Sequence, residues 1–64
     1  MIFNEETALR WLVHHAQVAR NAGWSSTKWL RRIDPNGLAI AMAYVSERQL
    51  RAIRELVWGR KPFL

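Results

Sequence analysis

Four cations, Arg20, Lys28, Arg31 and Arg32, lie between residues 20 and 33, and no acidic side chain interrupts them. Ser26 and Thr27 stand just ahead of the last three. Lysine and arginine neutralise phosphates. An arginine can also bond guanine with two donors, and a hydroxyl can reach a base edge. A second set, Arg48, Arg51 and Arg54, sits in the last third of the chain, where it would add contacts to a nucleic-acid backbone. The candidate nucleic-acid contacts are therefore Arg20, Ser26, Thr27, Lys28, Arg31, Arg32, Arg48 and Arg51.

The second chemistry is aromatic. Four tryptophans are more than so short a chain needs for its core, and an exposed Trp beside Arg is the composition of a protein-binding hot spot. Trp11, Trp24, Trp58 and Phe63 are the candidate partner-binding residues.

Catalysis finds little support. There is no Cys, so there is no thiolate nucleophile, disulfide or thiolate zinc site. His14 and His15 are adjacent, and on a helix they point about 100° apart, so they cannot clamp one metal. Neither has a carboxylate three or four residues away. Ser25, Ser26 and Ser46 read as helix caps. No glycine-rich phosphate loop is present. The chain is expected not to be an enzyme and to need no cofactor or metal.

The 64 residues make one domain, spanning 1–64, with ten Lys and Arg against five Asp and Glu and a net charge of +5. A domain of this size buries only about 60% of its unfolded surface, so self-association as a two-fold homodimer is the expected remedy. Charge is grouped: residues 20–33 carry +4, residues 35–45 none and residues 46–64 +3. Two basic segments flanking a neutral centre suit an anionic partner. The opening Met-Ile-Phe-Asn-Glu-Glu lacks the basic and apolar regions of a secretory leader. The longest uncharged run, residues 35–46, is shorter than the roughly 20 residues that span a bilayer. A cytoplasmic location with no membrane contact is expected.

The elements that must position these residues are helical. Asn4 caps a first helix at 5–22, with Glu5 and Glu6 at its positive end and Leu9, Leu12, Val13 and Ala16 as its apolar stripe. Gly23 closes it in left-handed geometry. Ser25 or Ser26 opens a basic helix at 26–33. Asp34-Pro35 stops that helix and starts a third at 36–45. Residues 38–45 also alternate large residues with alanine, as a strand would, but no second strand exists to pair with it. Ser46 and Gln49 form a capping box for a last helix at 47–58, with Leu50, Ile53, Leu56 and Val57 as its stripe. Fusion of the last two into one helix over 35–58 is the alternative. Residues 59–64 form a basic tail. The expected fold is all-α, a small domain of three to four helices, dimeric.

The centre of this layout resembles the helix-turn-helix of DNA-binding regulators. The resemblance rests on Ala19, Gly23, Trp24, Ser25 and Trp29, and it covers about a quarter of the chain. Arg32 falls near a place where the family usually buries an apolar side chain, a role open here to Leu30 or Ile33. The resemblance implies double-stranded DNA as partner and residues 26–33 as the reading helix. The competing expectation is an all-helical inhibitor or adaptor, of the kind found in phages and mobile elements. It would dock on a host protein through Trp and Arg.

Overall fold

A computed structural model describes residues 4–59. They form four helices: α1 (Glu5–Asn21), α2 (Ser26–Arg32), α3 (Pro35–Met42) and α4 (Glu47–Trp58). No strand occurs among the described residues, so the strand alternative for residues 38–45 is overturned. The basic tail from Arg60 onward lies outside the described residues.

The start of α1 is fixed by reciprocal hydrogen bonds. The Thr7 amide donates to Asn4 Oδ1 at 2.9 Å, and the Asn4 amide donates to Thr7 Oγ1 at 2.8 Å. Glu5 and Glu6 occupy the first turn, where the helix dipole favours negative charge. The buried stripe is Ala8, Leu12, Ala16 and Ala19, which keeps Leu12 and Ala16 of the expected one. Leu9 and Val13 pack only partly against the core. Small residues win the central stripe because α1 is surrounded: α2, α3 and α4 all pack on it. Alanines let three neighbours approach closely.

The end of α1 is a Schellman turn. The Trp24 amide donates to Ala19 O at 3.0 Å and the Gly23 amide to Arg20 O at 2.9 Å. Gly23 has φ +83°, a conformation that β-carbon-bearing residues resist. Ser25 then caps α2, its Oγ accepting from the Lys28 amide at 3.1 Å. Helix α2 ends at Arg32 because Ile33 is already extended ahead of Asp34-Pro35.

Asp34 caps α3, accepting from the Asn36 and Gly37 amides at 3.3 Å each, with Pro35 at the first helical position. Gly37 lies within α3. A β-carbon there would stand 2.7 Å from Trp11 Cζ2, so glycine is what lets the Trp11 ring lie on α3.

Helix α3 stops at Met42, three residues short of the expected end, and α3 and α4 are separate helices. A turn over residues 43–45 intervenes, closed by Tyr44 and Val45 donating to Ala41 O. Ser46 must be extended to cap α4, and that ends any continuous helix. Its Oγ accepts from the Gln49 amide at 3.2 Å, while Gln49 Oε1 accepts from the Ser46 amide at 2.9 Å. Gln49 Nε2 also donates to Glu5 at 3.1 Å, tying the starts of α4 and α1. Ile53 and Val57 are buried, but Leu56 is 74% exposed and leaves the expected stripe.

Candidate nucleic-acid interface

Helix α2 has two sides of opposite character. Its inner side is Ser26 and Trp29, both buried. Trp29 rests against Trp58 with ring centroids 5.5 Å apart. Trp58 in turn donates its indole N–H to Trp24 O at 2.9 Å, pinning the turn ahead of α2 to the end of α4. The outer side is Thr27, Lys28, Arg31 and Arg32, all exposed. Lys28 Nζ stands 5.0 Å from the centre of the Trp24 ring, a cation–π contact that steadies it. Arg31 and Arg32 close the helix, where the negative end of its dipole favours cations.

This geometry corrects the place of Ser26. It is 1% exposed, and its hydroxyl accepts a hydrogen bond from Arg54 Nε. It therefore cannot reach a base edge, and Thr27 is the hydroxyl on the outer face. The same bond ties Arg54 of α4 to the start of α2. Burial, and then the like charge of Arg51, pull the Arg54 guanidinium below its ordinary value. Arginine keeps its charge under such a shift, because its ordinary value is so high.

No family model, curated protein or solved structure matches this chain. No helix-turn-helix family is therefore shown for it.

The remaining candidates scatter. Arg48 and Arg51 line an open groove between α3 and α4, of about 720 Å³, together with Arg54 and Leu38, Met42 and Leu50. Arg20 turns the other way and lines a shallow recess with Gln17, Asn21 and Leu56, between α1 and α4. The charge run grouped it with the α2 cations; the helix rotation separates it from them.

The aromatic candidates are largely absorbed by the fold. Trp24 and Trp58 are half-buried and bonded to one another, so they hold the turn rather than present a free surface. Trp11 is half-buried over Gly37 and meets His15 in a tilted ring contact at 4.5 Å between centroids. Phe63 lies outside the described residues. The exposed large apolar side chains are instead Val18, Ile40, Tyr44 and Leu56. His14 and His15 are both exposed, and no cluster of three metal-ligating side chains occurs among the described residues.

The sequence undervalued Arg54, which joins α2 to α4. The hydroxyl partner lies 28 residues away, so nothing local marks the pair.

Proposed function

We propose that this chain is a small DNA-binding regulator that sets α2 in the major groove. What supports the reading is the outer face of α2. Thr27, Lys28, Arg31 and Arg32 are exposed, while Ser26 and Trp29 anchor the opposite side. A short helix held from behind by the core is a rigid way to present cations. Lys28 and Arg32 neutralise phosphates, and Arg31 and Thr27 reach base edges. Arg48 and Arg51, on the α3–α4 groove, add contacts to the nucleic-acid backbone in this reading. A cytoplasmic homodimer, placing two such helices on half-sites one turn of DNA apart, completes the reading.

The test is a mobility-shift titration with random-sequence duplex at about 50 and 200 mM salt. Arg31→Ala/Arg32→Ala should weaken binding and lower the slope of log affinity against log salt by about 1, for the phosphate contact of Arg32. Equal binding by both proteins at low salt would remove α2 from the interface.

The groove between α3 and α4 favours a second reading. Its floor is Leu38, Met42 and Leu50, and its edge is Arg48, Arg51 and Arg54. That combination suits an acidic amphipathic helix of a host protein, as a phage-type inhibitor or adaptor would bind. A discrete protein retained on the immobilised chain after nuclease treatment, and lost with Arg48→Glu/Arg51→Glu, would support it.

A further inference from the structure

Helices α1 and α4 lie side by side and run in the same direction. Gln49 donates to Glu5 at their starts, and Leu56 shares a recess with Gln17, Arg20 and Asn21 near their ends. Leu56 is 74% exposed, the most of any large apolar side chain among the described residues. A single leucine in water needs no explanation. What marks this one is the charge on either side of it.

Arg20 stands on α1, across the recess from Leu56. Around α4, at about 100° per residue, the order outward from the buried Ile53 is Leu56, Ala52, Glu55. Glu55 therefore lies on the far side of Leu56 from Arg20. Both charged residues are exposed, and neither enters an ion pair among the described residues. The surface reads cation, leucine, anion across the seam.

Such a patch is complementary to itself. Turning one copy by a half-turn about an axis parallel to α4 sets Leu56 on Leu56. It also places Arg20 of each copy opposite Glu55 of the other. A two-fold interface needs this property, because one patch serves both sides. The two charges cancel, so copies of net charge +5 meet there without like charges face to face. A nucleic acid on the same surface would be repelled by Glu55.

We propose that the seam of α1 and α4 is the interface of a homodimer, with Leu56 at its centre and two Arg20–Glu55 pairs at its rim. The proposal rests on the homodimer of the proposed function and gives it a face, and DNA is not needed for it. Arg54 and Trp58 hold α2 at the end of α4, so an axis along α4 sets both α2 helices at one end of the dimer. The patch is small, and the dimer is accordingly a weak one.

The experiment is sedimentation equilibrium of the nuclease-treated full chain from about 1 to 500 µM, a range that brackets weak dimers. The unaltered chain should pass from monomer to dimer. Leu56→Ser should weaken dimerisation about a hundredfold, because the change counts twice across the two-fold axis. Leu56 is exposed, so this variant keeps the fold. Arg20→Glu and Glu55→Arg, each alone, set like charges opposite one another at both rims and should stay monomeric. Mixed in equal amounts they should form a dimer, since the two different copies restore both opposite-charge pairs. Circular dichroism checks that each variant is as helical as the parent.

An unaltered chain that stays monomeric throughout would overturn the proposal. So would a mixture that stays monomeric, or a Leu56→Ser chain that dimerises like the parent. A dimer dissolved by Ile40→Ser instead would place the interface on α3 and overturn it too. No DNA enters these measurements. A dimer that ignores duplex keeps the interface and ends the regulator, while a monomer that binds duplex does the reverse.

Discussion

Two glycines in this chain are required for different reasons, and they can be told apart. Gly23 has φ +83°, and nothing lies within 4 Å of the place a β-carbon would take. Its replacement is therefore opposed by backbone geometry alone. Gly23→Ala should cost about 1–2 kcal/mol, the penalty of left-handed geometry for an L-residue. D-alanine at that position, accessible by chemical synthesis, should cost almost nothing. Gly37 has no such backbone demand, but its added carbon would meet Trp11 at 2.7 Å. Gly37→Ala should cost about 1–3 kcal/mol by overpacking. Combining it with Trp11→Leu should cost less than the two single changes added together, since the colliding ring is gone. Urea unfolding of each protein measures both effects. Ser26 supplies a third case. Ser26→Ala removes the acceptor for Arg54 Nε and should cost about 1 kcal/mol or more, while Thr27→Ala on the outer face should stay within about 0.5. If Ser26→Ala proves neutral, the joint between α2 and α4 is not holding the fold.

At the scale of elements, what could be read from the sequence was what is local. Asn4, Asp34 and Ser46 cap the helices expected of them, and Ser25, one of the two serines open to the role, caps α2, because a cap is a hydrogen bond across two or three residues. Ser46→Ala should accordingly destabilise the chain by about 1 kcal/mol, seen as a lower unfolding midpoint. The end of α3 was not legible. Ala41 and Val45 are buried while Ile40 and Tyr44 are about half exposed, so burial there runs against residue size. The cause is the close approach of α1, which only an alanine on that side of α3 permits. On α1 the expected Leu12 and Ala16 are buried, while Leu9 and Val13 are only partly so and Ala8 takes the inner place. The candidate site divides along the same line. The outer cations of α2 were visible as a charge run without acids. The bonds that orient α2, from Arg54 and from Trp58, cross 28 and 34 residues and leave no local pattern. Pairs so distant are set by tertiary packing, which periodicity does not encode.

The molecule as a whole measures 32 × 20 × 16 Å and is arranged around α1, against which α2, α3 and α4 all pack. Amide hydrogen exchange should reflect this. Leu12 and Ala16, fully buried on α1, should exchange most slowly, near the rate set by global unfolding. The eight residues of α3, short and half exposed, should exchange faster. Equal protection of α1 and α3 would mean the chain opens as one unit with no weaker arm.

The position of α1 at the front of the chain carries a consequence for biosynthesis. The helix that every other helix needs is translated before any of them. Isolated helices near this length are marginal in water, so its apolar stripe has nothing to cover it while the later residues are still in the ribosome. The bond from Gln49 to Glu5 can close only once the 44 residues that follow Glu5 have been made, so the start of α1 gains this tie late in synthesis.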